Sequence, residues 1–404
     1  MRALIVVCCS IVFLLAARVT RAQDEASPWM LMSDGVLFAT VNHQGGPRGG
    51  DEFRSTNWWM GMASRQAGTG QLTLTGMLSL EPLTATPQGY REIFQAGEVY
   101  KGQPIVDRQH PHDLVMQAAV VWRVPIDYRT GFTIAAAPVG EPALGPIAFM
   151  HRPSAADNPA APLGHHTLDS THIAMGVVTA ALDHGPFTME ASLFNGREPD
   201  DNRWDVMDPG PLDSWSARLW FEPSAEWQFQ ISHGFLKQPE ASEPGDIRRT
   251  TGSASWFRRR ADGFTAATVA FGRNDTDHGA FQALLAEATD RRGAMSFYGR
   301  FESVQKETAL LEDALEAGRV LSDPATQDGS SLVTALTLGA VREIGRWRGF
   351  EIGAGADVTS YVVPDALRPS YGSHPVSFHL FLRVRPPAGH MGRMWNMRMT
   401  KPMS

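Results

Sequence analysis

Segments of about ten residues in which apolar and polar side chains alternate recur throughout this chain. In residues 213–222, Trp215 and Leu219 fall on one face of an extended strand, while Ser216 and Arg218 fall on the other. After the first residues, no apolar run approaches the ~20 residues of a membrane-spanning helix. A chain with this pattern can cross a membrane only as a closed β-barrel, with apolar side chains outward and polar side chains inward.

The spacing of these segments predicts about sixteen strands. Short turns alternate with long loops, and the longest loops span 83–112, 140–170, 197–211 and 305–330. This alternation is typical of outer-membrane barrels, so we predict an all-β fold: a transmembrane antiparallel β-barrel with short periplasmic turns and long extracellular loops. One helix is predicted at 307–317. The predicted strands lie near 35–43, 53–65, 69–82, 113–125, 129–139, 171–183, 186–196, 212–222, 225–236, 248–260, 262–272, 279–290, 294–304, 331–344, 347–361 and 374–385.

The N-terminal residues have the pattern of a secretory signal peptide. Arg2 gives a positive start, an apolar stretch follows, and Ala22 ends a small-x-small cleavage motif. An uncleaved membrane anchor is the alternative, but the apolar run is too short to favour it. Cys8 and Cys9 lie within this segment, so we expect a mature chain without disulfides or thiolate metal sites. The predicted organisation is a signal peptide at 1–22, a lead-in at 23–34, the barrel at 35–385 and a periplasmic tail at 386–404.

Charge and aromatic residues narrow the class of protein. Without the predicted signal peptide, 33 basic residues face 43 acidic ones, and no basic patch for nucleic acid is present. A soluble exported all-β protein is the alternative to a barrel, but its strands would usually span only about five or six residues. Aromatic residues beside the short turns predict a girdle at the membrane interface. Its members are Trp122, Tyr128, Trp220, Phe221, Trp227, Trp256, Phe257, Phe264, Trp347 and Phe350.

The densest group of charged and imidazole side chains lies at 107–113, immediately before an apolar strand. His110 and His112 are two residues apart, so in an extended backbone both rings project from one face. Pro111 restricts the backbone between them. Two imidazoles placed in this way can share a metal ion.

A second histidine group follows in the next long loop, which the strand arrangement places at the same end of the barrel. Its members are His151, His165, His166 and His172. Together the two groups predict an imidazole and carboxylate site for copper or zinc. Asp107, Asp113 and Asp169 are the carboxylates that would complete the site or orient the imidazoles. The alternative is a hydrogen-bonded network, including Arg108, that holds the long loops to the barrel.

The tail carries a second type of candidate ligand. Thioethers are soft ligands suited to Cu(I), and a flexible tail lets several of them converge. The tail is therefore predicted to exchange Cu(I) with a metal-handling partner on the periplasmic side. The alternative is an amphipathic anchor, in which Arg393, Arg398 and Lys401 lie at the membrane interface. The candidate ligands are His390, Met391, Met394, Met397 and Met399.

A hydrolase site is a further alternative. Ser170 and His172 share one face of a strand, which is the placement that a nucleophile and its base require in an outer-membrane enzyme acting on lipid or another envelope substrate. Asp169 is the nearest acid. Nothing in the sequence marks Ser170 as activated, so an enzyme is the less favoured interpretation.

Four motifs carry a resemblance to a known group of proteins. They are DRQHPHD at 107–113, FMHRPSAADNPAAPLGHH at 149–166, DSTHI at 169–173 and FNGREPDDNRW at 194–204. On these motifs the chain resembles a family of exported bacterial proteins, which implies a Gram-negative setting and no particular activity. In general character it is also similar to copper-resistance outer-membrane proteins, although its Met/His-rich end is C-terminal and short.

These observations predict a Gram-negative outer-membrane barrel in contact with membrane lipid. Its predicted function is the passage or binding of a small polar solute, with a metal ion, copper first, as the most specific candidate. Loop imidazoles would capture the ion at the outer mouth, and charged lumen residues would set selectivity. A plugged structural or adhesion barrel is the remaining alternative, and the sequence leaves both the opening of the lumen and the oligomeric state undecided.

Overall fold

The computed structural model describes residues 29–241, 245–312, 329–388 and 392–401. Its strands, in chain order, are β1 (Met30–Gln44), β2 (Gly50–Ala67), β3 (Gly70–Leu78), β4 (Tyr90–Tyr100), β5 (Gln103–Gln109), β6 (Val115–Pro125), β7 (Thr130–Gly140), β8 (Ala174–His184), β9 (Phe187–Asn195), β10 (Ser214–Ser224), β11 (Trp227–Leu236), β12 (Ile247–Arg260), β13 (Gly263–Thr276), β14 (Gly279–Arg292), β15 (Met295–Glu307), β16 (Ser330–Trp347), β17 (Phe350–Val362) and β18 (Val376–Arg385). Sixteen of them close into one antiparallel barrel, which confirms the predicted fold and strand number. The other two, β4 and β5, pair only with each other.

The helices that the structure describes are all short. They are α1 (Glu81–Thr84), α2 (His165–Leu168), α3 (Thr308–Glu312) and α4 (Arg368–Tyr371), with 3-10 turns at Phe149–His151, Pro153–Ala155, Ser170–His172 and Asp365–Leu367. The helix predicted at 307–317 begins as α3, but its residues after 312 lie outside the described part of the chain. No helix among the described residues has both the length and the apolar character needed to cross a bilayer.

The barrel closes where the first and last strands pair. Leu37 of β1 lies opposite Val384 of β18, and β3 pairs with β6 so that the β4–β5 hairpin is left outside the ladder. The tight turns, such as residues 68–69, gather at one end of the barrel, which we call the short-turn end. The opposite end, which receives the long connections, is the long-loop end. Both the start of β1 and the end of β18 lie at the short-turn end.

The period of two residues along each strand separates an apolar exterior from a polar interior. On β11, Ile231 is 58% exposed, whereas its neighbours Gln230 and Ser232 are only 5% and 2% exposed. An apolar outer surface of this kind is what a lipid environment requires. The same pattern repeats around the barrel, so the outward apolar set is continuous across neighbouring strands.

The aromatic residues near the short turns divide between the two faces. Tyr128, Trp227 and Trp347 are exposed on the outer surface, as a girdle requires. Other predicted girdle residues, Trp220 and Phe264 among them, are instead buried inside the barrel together with Phe350. Alternation explains the error, because Trp220 lies between two outward residues and must point inward. Its indole donates a hydrogen bond to Glu190.

A long loop between β7 and β8 fills much of the lumen. This segment, residues 141–173, is here called the lumen loop, and nearly all of it is buried. It is hydrogen-bonded to strands around the barrel wall: the amides of Ala143 and Gly145 donate to Ser192 and Ser232, on β9 and β11. On the opposite wall, Arg152 donates to Glu287 of β14 at 2.7 Å. The loop therefore occupies the interior instead of extending into solvent.

The tail also enters the barrel, from the short-turn end. Residues 392–401, here called the tail segment, place the Arg398 guanidinium 3.2 Å from Glu222 and 3.4 Å from Glu190, both on the inner wall. Trp395 packs on Phe264 with ring centroids 4.6 Å apart. The prediction of a flexible tail, and its alternative of an interfacial anchor, are both wrong for this segment. Buried carboxylates on the wall attract its cations into the lumen.

The β4–β5 hairpin covers the lumen at the long-loop end. Phe94 is fully buried and stacks on Tyr371 with centroids 4.3 Å apart. Asp107 accepts hydrogen bonds from the Phe94 amide and the Tyr371 hydroxyl and pairs with Arg48 at 2.6 Å. Asp107 therefore holds the hairpin to loops on the opposite side of the mouth and does not join the histidines.

Candidate metal centre

Five of the six predicted loop histidines lie together in the long-loop half of the lumen. We call His110, His112, His165, His166 and His172 the histidine cluster. The closest ring centroids, those of His165 and His172, are 5.1 Å apart. The other neighbouring pairs lie between 5.6 and 6.3 Å. The two histidine groups of the sequence therefore lie close together in the structure, for five of their six members.

Three elements bring these rings together. His110 and His112 flank Pro111 in the link between the hairpin and β6, and their rings lie near those of His166 and His172 respectively. His165 and His166 begin the one-turn helix α2 of the lumen loop, and His172 ends the following 3-10 turn. The helix is anchored to the wall because the His166 carbonyl accepts hydrogen bonds from Arg249 of β12 and Asn274 of β13.

Oxygen acceptors fix the tautomers of several rings. Nδ1 of His165 lies 2.7 Å from Oδ1 of Asp169, and Nδ1 of His172 lies 2.8 Å from the Asp169 carbonyl. Nδ1 of His112 lies 3.1 Å from Oε2 of Glu81. A carbonyl or an ionised carboxylate only accepts, so each Nδ1 carries the hydrogen and each neutral ring keeps a lone pair on Nε2. Metal-binding histidines are oriented by the same kind of hydrogen bond.

Burial and charge set the protonation of these rings. Burial lowers the pKa of His165 to about 4, although the Asp169 carboxylate opposes the shift. Burial, together with the neighbouring imidazoles, also lowers the pKa of His172 well below its usual range. Burial disfavours the charged form of His112 too, but the Glu81 carboxylate outweighs it and raises the pKa. His165 and His172 are therefore neutral at pH 7, the form in which imidazole binds metals.

His166 faces two carboxylates that the sequence did not single out. Its Nδ1 lies 3.2 Å from Glu198 and 3.4 Å from Glu240. Burial lowers the pKa of His166, but the two carboxylates outweigh burial and raise it to about 10. Among the described residues, these three form the only group of histidine and acidic side chains whose ligand atoms all lie within 4.8 Å of one another.

Two of the predicted site residues occupy other positions. His151 is not at the long-loop end, because the lumen loop descends through the barrel and places this ring against Trp58 and the tail segment. The expectation that all six loop histidines share one end is therefore wrong for His151. Asp113 pairs with Arg203 at 3.1 Å, beside the cluster but not within it.

The remaining predicted ligands are in the tail. Met394, Met397 and Met399 are buried inside the barrel. His390 and Met391 lie outside the described residues.

Ser170 and His172 do not form a nucleophile and base pair. The Ser170 hydroxyl accepts a hydrogen bond from Arg249 at 2.9 Å, while Nδ1 of His172 is bonded to the backbone of Asp169. Nε2 of His172 has no hydrogen-bond partner among the described atoms. Among the described residues, the serine hydroxyl therefore has no activating base in contact with it.

Sequence reasoning missed Glu81, Glu198 and Glu240. Glu198 lies in the β9–β10 loop and Glu240 in the β11–β12 loop, and both loops open at the same end as the histidines. This shared end is the signal that the sequence offered. Once the strand count assigns each loop to one end of the barrel, every acidic residue in a long loop is a candidate ligand at the same end as the histidines. Glu81 was hidden because it follows directly from a strand and turns inward in α1.

Solved structures with similar folds are outer-membrane proteins. A loop-deletion mutant of OmpT from Vibrio cholerae gives a TM-score of 0.50 at 11% identity, over 89% of this chain and 100% of its own. The anion-selective porin of Comamonas acidovorans gives 0.51 at 9% identity, over 88% and 99%. OprB of Pseudomonas putida gives 0.51 at 9% identity, over 89% and 94%. The barrel resembles these proteins in fold. No family model and no curated protein matches the chain.

Proposed function

We propose that this protein is an outer-membrane β-barrel that binds a transition-metal ion at the long-loop end of its lumen. The observation that carries the proposal is the approach of Nδ1 of His166 to Glu198 and Glu240, beside four further histidines. The apolar outer surface and the likeness in fold to outer-membrane barrels support the location. With the long-loop end outward and the short-turn end in the periplasm, the metal site faces the exterior of the cell.

The donor set favours copper first and zinc second. Imidazole nitrogen and carboxylate oxygen suit both ions, and sites of this type bind Cu²⁺ more tightly than other divalent ions of the first row. Two carboxylates and a neutral imidazole also balance the charge of a divalent ion. In the absence of metal, the proton on His166 and the nearby Arg249 serve that purpose. The other imidazoles are close enough to offer further ligands after small side-chain movements.

Binding is better supported than free passage of a solute. The lumen loop and tail segment occupy the interior that an open channel would need. A cavity remains among them, and its lining includes His112 from the cluster and Trp395 from the tail segment. This space gives an ion or small polar solute room beside the cluster without a wide open pore.

The test is a metal titration of the detergent-purified mature protein with Cu²⁺ and Zn²⁺. The double variant Glu198→Gln with Glu240→Gln removes two charged ligands while conserving side-chain shape, and should lower affinity by about 100-fold or more. The matched control is Glu226→Gln, which breaks an exposed ion pair with Arg258 at the short-turn end. Wild-type affinity in the double variant, or equal losses in both, would remove the site from the proposal.

The competing interpretation is a network that only holds the loops. Arg152 bridges Asp169 and Glu287 inside the lumen, so part of the cluster's surroundings has that structural role in any case. The double variant distinguishes a structural network from a metal site. A network predicts a lower unfolding temperature with no metal-dependent stabilisation of the wild type, whereas a metal site predicts that copper raises the unfolding temperature of the wild type alone.

A further inference from the structure

A second cavity lies deeper in the lumen, where the tail segment meets the lumen loop and β2. Three thioethers and one imidazole line it: Met60, Met397, Met399 and His151. All four side chains are buried, so the cavity is enclosed by parts of the chain that are far apart in sequence.

The neighbours of these side chains hold them in place. The carbonyl of His151 accepts a hydrogen bond from the Asn396 amide at 2.9 Å, which joins the lumen loop to the tail segment. Arg398, between the two tail methionines, is anchored by Glu190 and Glu222. Met60 lies on β2, where alternation turns it inward.

The imidazole presents an unused nitrogen. His151 is only 6% exposed, and its Nδ1 has no hydrogen-bond partner among the residues that the structure describes. The backbone of Met394 lies within hydrogen-bonding reach of the ring. A neutral ring whose hydrogen is on Nε2 leaves a lone pair on Nδ1. An unpaired buried polar atom is costly, so a ligand that uses this lone pair would stabilise the arrangement.

We propose that Met60, His151, Met397 and Met399 form a binding site for Cu(I). Thioethers are soft ligands that prefer this ion over hard divalent cations, and an imidazole completes a neutral donor set. The site shares no side chain with the histidine cluster, and it takes a different oxidation state of the metal. Met60 was not among the ligands predicted from the sequence.

The surrounding charges favour a monovalent ion. Three carboxylates near the cavity, Glu141, Glu190 and Glu222, are paired with three cations, Arg218, Arg398 and Lys401. Among these six described groups, no net negative charge is left to offset a divalent cation. A single positive charge with neutral ligands costs less in such surroundings.

Two simpler explanations of the cavity, bound water and methionine packing, predict different results. Water can satisfy Thr75 and Arg398, which line the cavity and carry atoms without a hydrogen bond among the described residues, but thioethers are weak hydrogen-bond acceptors. Packing alone is the other explanation, because methionine fills irregular gaps and other methionines lie in the same apolar cluster. Neither water nor packing predicts sulfur bound to a metal.

The experiment compares two triple variants of the detergent-purified mature protein. Met60→Leu, Met397→Leu and Met399→Leu remove the thioethers with little change in volume. Met62→Leu, Met77→Leu and Met116→Leu change three methionines of the neighbouring apolar cluster that do not line the cavity. Affinity is measured anaerobically by competition with a chromophoric Cu(I) chelator. The first triple should lose about 100-fold in Cu(I) affinity, and the second less than about threefold.

X-ray absorption of the Cu(I)-loaded wild type supplies a result that does not depend on how the variants fold. Sulfur neighbours around the copper are expected, and they should disappear in the first triple variant. A wild-type spectrum with nitrogen and oxygen neighbours only would overturn the proposal. Equal Cu(I) affinity in the two triple variants would overturn it as well.

Discussion

At the scale of single residues, buried arginines organise the interior. Arg152 is almost fully buried and donates to Asp169 and to Glu287, each at 2.7 Å. Asp169 in turn receives the Nδ1 hydrogen of His165, so one guanidinium fixes both the path of the lumen loop and the tautomer of a cluster ring. Such pairs are costly to break because the partner left behind is a buried, unpaired charge.

The same reasoning gives a pH-dependent prediction for Asp157. This carboxylate of the lumen loop binds Arg383 and Ser296, and lies 3.3 Å from Arg385. Burial alone would raise the pKa of Asp157, but the two arginines hold it well below its usual range. The contribution of ionised Asp157 to the free energy of unfolding is therefore complete above ~3.9, the pKa of this side chain in the unfolded chain. It is lost progressively as the pH falls below that value.

We expect Asp157→Asn to lower the free energy of unfolding by about 3–5 kcal/mol at pH 7. Below pH ~4 the difference from wild type should shrink by about 1.4 kcal/mol per pH unit. Urea unfolding in lipid vesicles at several pH values measures both. Asp275→Asn, which breaks an exposed pair with Arg273, serves as the control and should cost less than about 1 kcal/mol. A difference that does not change with pH would contradict the assignment.

The candidate site shows where residue-level prediction succeeds and fails. His110 and His112 precede a recognisable strand, so their side of the barrel follows from counting strands. His151 was misplaced because nothing local in the sequence reveals that its loop descends into the barrel. The approach of Glu198 to His166 depends on two loops converging, which is a tertiary property.

At the scale of elements, the β4–β5 hairpin caps the histidine cluster. Gly97 has a φ of +137°, and a Cβ at this position would lie 2.9 Å from Nδ1 of His166. Only glycine therefore allows the hairpin to lie so close to the ring. The hairpin turn itself places Lys101 and Gly102 at positive φ, as in the tight turns that suit twisted strand pairs.

We predict that Gly97→Ala forces the hairpin and His166 apart. Cu²⁺ affinity should fall by about tenfold or more, because a ligand is displaced. Gly102→Ala is the matched control: it also places alanine at positive φ, but its Cβ meets nothing within 4 Å. A copper titration with both variants checks this. Equal affinities would mean that the hairpin does not position His166.

Strands and lumen elements differed in how well the sequence predicted them. Each barrel strand has one lipid-facing side, so its alternation is local and readable; β11 shows it clearly at Trp227–Leu236. The hairpin lacks such a pattern because it is buried between loops and lumen. Its best local signal was the Lys101-Gly102 turn. The tail segment has no local signal of its position in the sequence, because that position depends on Glu190 and Glu222, which belong to distant strands.

At the scale of the whole molecule, a barrel of porin size encloses a filled lumen. We predict that the wild type shows little conductance in planar bilayers. Replacing residues 91–108 and 143–168 with short Gly-Ser linkers and deleting 389–404 should together give large, stable steps, since all three segments then leave the lumen. Each change alone should give smaller steps. Porin-like conductance in the wild type would contradict the filled lumen.

The bond between Asp157 and Arg383 also links the interior of the barrel to its seam. Arg383 lies on β18, the last strand of the chain, which must meet β1 to seal the cylinder. Asp157 comes from the middle of the chain and reaches this arginine only from within. An interior segment thus fastens the strand that seals the cylinder, so the seam and the contents of the barrel stabilise each other.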